Sequence, residues 1–354
     1  MNGHFFIPKL YDIMTFKKEY KNMKLQLTLN SLALILCCGD LIPSSTQPIS
    51  TQEWQEIEKK LKSAHKEPSM ITGMSIDTLT QIIGLDEFTA HKIEKRQKLL
   101  PDLFYALQNL ENQDIGVTTI YEGDYPASLR VLGTKMPLVI SYIGDLSLSY
   151  GVNISVAGPQ MMNKTMRHVT KEIMKKISKE GYTVVVGGSK GVEELALRTQ
   201  LTNNGNAVLF VADHMFDKIR LYSKYIKQNK LVIMTANDPY ALFDVTHALD
   251  KNLYICGMVF AQIVTGTHIG SGPVWFTSIQ NIHSHWTRQL VYETLDYSGN
   301  IRLIEMGEAH FTDEDLKSEV TLAEILDNHE TVIKKDDPSI DQMTIFEFIE
   351  DKHE

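Results

Sequence analysis

Between residues 118 and 316 the chain alternates short apolar, β-branched runs with longer segments of helical length, and this alternation constrains the fold more than any other feature. The short runs are NISVAGP, YTVVVGG, AVLFVA, KLVIMTA and FAQIVTG. Continuous apolar runs of this length are typical of strands that are buried on both faces of a parallel sheet. Right-handed strand–helix–strand connections then predict an α/β fold with a Rossmann-like, mostly parallel sheet over residues 118–316.

The residues before this region follow a helical period. Apolar residues recur three or four positions apart, as in Trp54, Ile57 and Leu61, so we expect four to six short helices in a small domain over residues 24–117. Residues 1–23 mix apolar and basic residues without periodicity. We interpret them as an N-terminal extension, because Met23 precedes a better helical start.

Negative charge is concentrated near the end of the chain. From Phe311 to Glu354 there are 14 acidic and 4 basic residues, out of 44 and 35 in the whole chain, which leaves 30 and 31 elsewhere. The body is therefore nearly neutral, and the overall acidity does not exclude a nucleic-acid ligand. We expect residues 317–354 to form a flexible acidic tail.

The cysteines and the apolar segments indicate the compartment. Cys37, Cys38 and Cys256 provide neither a disulfide framework nor the spacing of metal ligands. The longest apolar stretch, LALILCC, is too short to span a bilayer. We therefore expect a cytoplasmic protein without a membrane partner.

Three glycine turns follow predicted strands, in VAGPQ, VVVGGSKGVEELA and TGTHIGSGPVW. Ligands of open α/β sheets bind at the carboxyl ends of the strands, where such turns allow backbone amides to approach phosphate. Neither the dinucleotide-binding spacing nor a P-loop is present. The candidate residues are Gly158 and Gln160 in the first turn, Gly187, Gly188, Ser189, Lys190 and Gly191 in the second, and Gly270, Ser271 and Gly272 in the third.

The order and spacing of these turns resemble the DNA-processing protein A family (DprA/Smf), within the superfamily that includes the LOG enzymes. The segment DYPASLRVLGTKMPLVISYIGDLSL is similar to the family's entry into the first strand. FDVTHALDKNLYICGM aligns with a family segment in which Lys251 and Asn252 replace Arg-Asn. The helical region resembles the family's SAM-like domain, which is related to helix-hairpin-helix domains.

The resemblance implies a homodimer that binds single-stranded DNA over the sheet and delivers it to a recombinase, without catalysis or a cofactor. Backbone phosphate is bound by amide groups together with lysine or arginine, and counterion release supplies much of the affinity. Lys190 and Lys251 are the expected phosphate contacts, although solvated surface lysines are the alternative for both. Lys164 and Arg167, after the first turn, would add positive charge.

Departures from the family pattern leave other functions open. Gln160 stands where the family has arginine, Val186 replaces a serine and Glu193 replaces an aspartate. Loss of arginine removes bidentate phosphate recognition. The main alternative is therefore a sensor of a nucleotide or nucleotide-derived signal (SLOG-type) that acts on an effector in a defence or stress pathway. A degenerate hydrolase ranks last, because no candidate base is evident.

A short motif near the end of the chain resembles a bacterial sliding-clamp-binding peptide. It comprises Gln342, Met343, Ile345 and Phe346 in DQMTIFEFIED. Such peptides place a glutamine and an aliphatic–aromatic pair in a preformed groove. The alternative is that the apolar residues dock on the protein's own body.

Two histidines and one tryptophan are further candidates for site residues. His283 and His285 have no carboxylate at a matching spacing, so we expect neither a metal site nor a catalytic triad. Trp275 follows the third turn, and we interpret it as a packing residue rather than a platform for base stacking.

Overall fold

The computed structural model describes residues 25–317 and 319–328. The chain divides into two compact units. Of the described residues, the first, here called the helical unit, contains 25–125, 133–143 and 235–241. The second, the sheet unit, contains 126–132, 144–234 and the described residues from 242 onward.

Helices with polar N-caps build the helical unit. Ser50 and Glu53 form a capping box at the start of one helix, and Thr28 and Asp86 cap two others. Trp54 and Leu61 are fully buried in the core of this unit. The α-helices are α1 (Leu29–Cys38), α2 (Thr51–Ser63), α3 (Glu87–Gln97) and α4 (Leu100–Glu111).

A buried arginine connects α3 to the loop after α1. Arg96 is 1% exposed, and its guanidinium donates to the carbonyl oxygens of Leu36 at 2.7 Å, Gly39 at 2.6 Å and Thr46 at 3.0 Å. These carbonyls include groups at the end of α1 that no helical N–H satisfies. The bonds therefore compensate the cost of burying the charge and fix the proline-containing loop. The helical unit also contains the antiparallel strands β1 (Gly116–Thr119) and β2 (Val139–Ile143).

Seven parallel strands form the sheet unit, in the order β6-β5-β4-β3-β7-β8-β9. They are apolar and almost entirely buried, because helices cover the faces of the sheet. The strands are β3 (Asn153–Ala157), β4 (Thr183–Val186), β5 (Ala207–Phe210), β6 (Leu231–Thr235), β7 (Ala261–Val264), β8 (Arg288–Tyr292) and β9 (Ala309–Phe311).

A helix follows each of these strands except β6, where a loop precedes the helix. The helices are α5 (Lys164–Lys179), α6 (Val192–Thr202), α7 (Met215–Lys227), α8 (Val245–Met258), α9 (Gly272–Ser284), α10 (Ser298–Glu305), α11 (Asp313–Lys317) and α12 (Leu322–Asn328). Among the described residues, none of these helices has the combination of length and apolar character that crossing a bilayer requires.

The topology marks one place in the sheet for a ligand. The chain starts in the middle at β3, moves outward through β4 to β6, and then returns to β7 on the other side of β3. The strand order therefore reverses between β3 and β7. In open α/β sheets, a crevice forms at this switch point, outside the carboxyl ends of the strands.

The predicted fold class, an α/β protein with a mostly parallel Rossmann-like sheet, is confirmed. Three details differ from the sequence prediction. The FDVTHALDKNLYICGM segment, for which a helix start near Ala241 is predicted from its apolar pattern, forms helix α8 only from Val245, because the Asp244 carboxylate accepts from the His247 amide at 3.1 Å and caps it there. Strands β8 and β9 extend the sheet beyond β7.

The third difference lies where the acidic tail was predicted to begin. Helix α12 is packed, with Leu322 and Ile325 buried. The Glu180 carboxylate accepts from the Leu322 amide at 2.6 Å and the Ala323 amide at 3.2 Å. Residues 319–328 therefore belong to the folded part of the chain.

Candidate functional site

The first glycine turn lies at the switch point. A Cβ atom on Gly158 would stand 2.2 Å from Thr265 Oγ1 and 2.8 Å from Val192 Cγ2, so only glycine fits without a shift of its neighbours. The Thr265 amide donates to the Ala157 carbonyl at 2.9 Å, which fixes the end of β7 beside the end of β3. The turn is thus held against β7 and the start of α6.

The second glycine turn packs directly on the first. Gly191 has φ of 89°, and a Cβ atom there would stand 2.3 Å from the Pro159 carbonyl oxygen. The Val192 amide donates to the same carbonyl at 3.2 Å. The structure therefore brings Gly158, Gln160 and the Gly187–Gly191 segment into one continuous surface.

Lys251 lies beneath the second turn. Its side chain is 6% exposed, and Nζ donates to Ser189 Oγ at 3.3 Å. A Cβ atom on Gly187 would stand 2.3 Å from this Nζ, so glycine is required for the lysine to reach the turn. The alternative of a solvated surface lysine is wrong for Lys251, because its ammonium group is buried at the site.

Two further lysine side chains lie at this turn. Lys190 is exposed and has no ion-pair partner among the described residues. Lys218 of α7 donates from Nζ to the Gly188 carbonyl at 3.3 Å. Sequence reasoning missed Lys218, because no motif connects a residue on α7 with a turn that precedes α6 and β5.

The amide groups of the second turn are partly available. The Glu193 carboxylate accepts from the Ser189 amide at 2.9 Å, whereas the amides of Lys190 and Gly191 have no acceptor among the described residues. Helix α6 starts immediately afterwards without a side-chain cap. Free amides at a helix start carry partial positive charge and favour an anion.

Positive charge continues along α5. Lys164, Arg167 and Lys171 are exposed, and none has an ion-pair partner among the described residues. Lys164 and Arg167 lie in the first turns of the helix, where cations oppose the helix dipole, and the first turn contains no acidic residue. Lys171 extends the row on the same face and was not predicted. Lys171 follows Lys164 by seven residues, so helical periodicity in the sequence would have placed the two side chains on the same face.

The third turn is built around a buried asparagine. The Asn300 amide group donates to the carbonyls of Thr265 at 3.2 Å and Tyr292 at 2.8 Å, and its oxygen accepts from the Thr267 amide at 2.8 Å. Gly270 and Gly272 take positive φ values of 67° and 79°. Ser271 precedes α9 with its hydroxyl making no cap bond. The Ile269 amide of this turn donates to Ser298 Oγ at 3.3 Å. Among the described residues, no hydrogen bond joins this turn to the second one.

Behind the turns is a small cavity. Its lining includes Asn252, Glu193 and Thr277, and its volume is about 20 Å³, the size of one water molecule. Asn252 therefore faces the interior behind the second turn. The cavity has no room for a nucleotide base.

The remaining candidates fall outside the site. Trp275 packs with Val264, Val291 and Leu303 in a buried cluster, as expected for a packing residue. His283 is exposed near the end of α9, and His285 follows that helix. No group of three or more potential metal ligands occurs among the described residues. The motif of Gln342, Met343, Ile345 and Phe346 lies outside the described residues.

Fold and site together define an open parallel α/β protein with glycine turns and lysines at its topological switch point. Over residues 116–315 the sequence matches the family described as DNA recombination-mediator protein A. The match covers more than half of the chain, so the protein belongs to this family. The resemblance seen in the sequence motifs is thereby confirmed.

Two solved structures are similar in fold. DNA processing protein A from Streptococcus pneumoniae matches with a TM-score of 0.66 at 16% identity, over 86% of this chain and 99% of that one. DNA processing protein A from Helicobacter pylori, described with a single-stranded DNA binding mode, matches with a TM-score of 0.50 at 15% identity, over 60% and 97%. The search of curated proteins found no match.

Proposed function

We propose that the protein binds single-stranded DNA at the carboxyl edge of its parallel sheet and acts as a DNA-processing protein in recombination. The Helicobacter relative is described as binding single-stranded DNA, and this chain belongs to the same family. The role is one of binding without a chemical step. We place it in the cytoplasm, where the free thiols of Cys37, Cys38 and Cys256 would stay reduced.

The observation that carries the proposal is the continuous surface of two touching glycine turns with unpaired cations beside it. The amides of Lys190 and Gly191 supply hydrogen-bond donors for phosphate. The exposed side chains of Lys190, Lys164 and Arg167 supply charge, and none of them has a competing ion pair within the described part of the chain. Neutralising phosphates with such cations releases counterions and provides affinity that depends on salt.

The shape of the site favours a polymer over a single nucleotide. The row from Lys164 to Lys171 extends about 10 Å along α5 at a rise of about 1.5 Å per residue. One phosphate group cannot contact the whole row, whereas successive phosphates of a strand can. The cavity of about 20 Å³ behind the turns is too small for a base, so the sensor alternative has no base pocket there.

The departures from the family pattern affect the strength of binding. Gln160 is exposed at the first turn and cannot form the two-pronged contact that arginine makes with phosphate. The Glu193 carboxylate also occupies the amide of Ser189 and adds a negative charge beside the turn. We therefore expect affinity to come from several lysines and to fall steeply with salt.

Partners form part of the same proposal. We infer a homodimer formed through the region after β8, where Leu295 is 90% exposed and shares a groove with Ile301 and Ile304. Exposed apolar patches of this kind mark protein interfaces. A recombinase would receive the DNA, and a sliding clamp would bind the motif at Gln342, Met343, Ile345 and Phe346.

Fluorescence anisotropy with labelled oligo-dT of increasing length tests the proposal. We expect wild-type affinity to rise with oligonucleotide length and to fall between about 50 and 200 mM salt. Lys190→Glu should weaken binding by about tenfold or more and reduce the salt slope by about 1. A single-nucleotide sensor would show neither the length dependence nor the slope.

The matched control is Lys227→Glu, which makes the same charge change on an exposed lysine at the end of α7 that leads into the amino end of β6. It should change affinity less than about twofold, because screening removes the effect of distant charges. Equal losses in both variants would show that DNA responds only to net charge, and the proposed site would be wrong.

A further inference from the structure

A groove lies at the opposite edge of the sheet, where β7, β8 and β9 begin. Phe260 and Trp286 contribute to its walls, Arg288 lies at its rim, and Gln289 and Glu308 also line it. None of these residues belongs to the site of the glycine turns, which lie at the carboxyl ends of the strands.

Two polar side chains in this groove are buried without partners. Gln289 is 1% exposed, and neither its amide nitrogen nor its oxygen has a hydrogen-bond partner among the described residues. Glu308 is 8% exposed, and within the same part of the chain its carboxyl group has no hydrogen-bond or ion-pair partner. Buried polar groups in native proteins are almost always hydrogen-bonded, so the Gln289 amide calls for a partner. The Glu308 carboxyl group lines the same groove.

The walls of the groove suit a flat ligand. The Phe260 ring is partly exposed, and the Arg288 guanidinium lies 5.0 Å from its centroid. Arg288 also forms an ion pair with Asp327 at 3.5 Å, which orients the guanidinium plane. Aromatic rings and guanidinium planes are the surfaces on which nucleic-acid bases stack.

The groove is held in place by the protein itself. The Asn281 side chain donates to the Thr287 carbonyl at 2.9 Å and accepts from the Thr287 amide at 3.0 Å. The Thr287 hydroxyl donates to the Val259 carbonyl at 2.7 Å. These bonds fix the segment that carries Trp286 and Arg288, so a ligand would not have to order it.

We propose that this groove binds an adenine base, with the Gln289 amide and the Glu308 carboxyl group reading its edge and the Phe260–Arg288 pair stacking on its face. A glutamine amide offers one donor and one acceptor, which match adenine N7 and the N6 amino group. Thymine carries no amino group and cannot make this pairing. The proposal does not rest on DNA binding at the glycine turns.

The Glu308 carboxyl group can pair with either a donor or an acceptor atom of the base, depending on its protonation state. Burial raises the pKa of this carboxyl group to about 7, so both its protonated and its ionised form are accessible near neutral pH. The ionised form accepts from an amino group, and the protonated form donates to a ring nitrogen.

Calorimetric titration with AMP, and with TMP as control, tests the groove. Wild type should bind AMP at least about tenfold more tightly than TMP. Gln289→Leu should remove that preference while keeping the thermal midpoint, because leucine replaces an amide without partners. Arg288→Ala, at an exposed position, should weaken AMP binding independently of any effect of Gln289→Leu on folding.

Oligonucleotides distinguish a free nucleotide from a base within a strand. If the base belongs to a strand, oligo-dA should bind more tightly than oligo-dT in wild type and equally in Gln289→Leu. If AMP is preferred and the two oligonucleotides bind equally, the ligand is a free nucleotide. No adenine preference in either format, or a preference unchanged in Gln289→Leu, would overturn the proposal. Because oligo-dT binding measures the other site, the two proposals can fail separately.

Discussion

The two edges of the parallel sheet present different groups to a ligand. At the carboxyl edge the groups are backbone amides and lysines around Gly158 and Gly191, and their arrangement depends on positions where only glycine fits. At the amino edge they are the side chains of Gln289 and Glu308, buried in a groove with aromatic walls. We propose that the first arrangement binds phosphate charge whatever the sequence, whereas the second is proposed to bind the edge of one base.

The largest expected effect comes from Gly191→Ala. Its φ is 89°, and the methyl group of alanine would stand 2.3 Å from the Pro159 carbonyl oxygen, so the change should cost about 3 kcal/mol or more and abolish oligo-dT binding. Urea denaturation and anisotropy measure the two losses. Gly151→Ala is the control, since its Cβ would meet only the Asn153 side chain, at 3.9 Å, and it should be nearly neutral. Equal stability of both variants would refute the tight contact between the turns.

The next largest effect concerns pH at the amino edge. Folding raises the pKa of Glu308 from 4.5 to about 7, so the folded state binds more protons than the unfolded state between these values. The contribution of Glu308 protonation to the free energy of unfolding is therefore complete below pH 4.5 and is lost as the pH rises through 7. Its size is about 3 kcal/mol, since each unit of pKa corresponds to about 1.4 kcal/mol. Glu308→Gln should therefore raise stability at about pH 8 and flatten this dependence.

Denaturation at several pH values measures this effect, with Glu305→Gln as the control at a more exposed carboxylate. The control should keep the wild-type pH profile. A Glu308→Gln profile that superimposes on wild type would show that this carboxyl group titrates normally and that the groove does not hold it away from solvent.

A substitution at Lys251 separates the role of its charge from the role of its packing, and its expected effect is smaller. Lys251→Met keeps the length of the side chain and removes the ammonium group beneath the second turn. If this charge acts on phosphate, oligo-dT affinity should fall about tenfold with little change in stability. The control is Lys230→Met, which removes a half-buried lysine that donates to Asn206 Oδ1 at 3.4 Å at the amino end of β6. Unchanged affinity in Lys251→Met would leave the lysine a purely structural role.

The smallest effect is expected on α5. Lys171→Ala should weaken binding of long oligonucleotides by about two- to threefold and leave short ones unchanged, because only a longer strand reaches the end of the row. Lys175→Ala is the matched control, since this lysine already pairs with Glu172 at 2.7 Å. A loss that is independent of oligonucleotide length would contradict the path along α5. Anisotropy at low salt measures both variants.

Much of the carboxyl edge could be predicted from the sequence because strand ends and glycine turns are local features. The runs ending at Ala157 and Val186 place Gly158 and Gly187 at one sheet edge without further information. The burial of Lys251 and the reach of Lys218 depend on how α8 and α7 pack, which no local pattern encodes. Strand β9 has three residues, too few for a period, and so it was missed.

The amino edge could not be predicted for a related reason. In IEMGEAHF, Glu308 looks like an ordinary polar residue between a helix and the next segment. The folded chain brings it into one groove with Asn281, Thr287 and Gln289, which lie elsewhere in the sequence. Gln289 likewise lies in a strand whose neighbours are set only by the sheet order.

Hydrogen exchange of backbone amides, with and without saturating oligo-dT, tests the binding of DNA phosphates at the glycine turns most directly. The amides of Lys190 and Gly191 have no acceptor among the described residues, so they should exchange rapidly in the free protein and slow markedly when phosphate occupies the turn. Protection confined to this segment and the start of α5 is the predicted result. Unchanged exchange at residues 187–192 in DNA-saturated protein would contradict it.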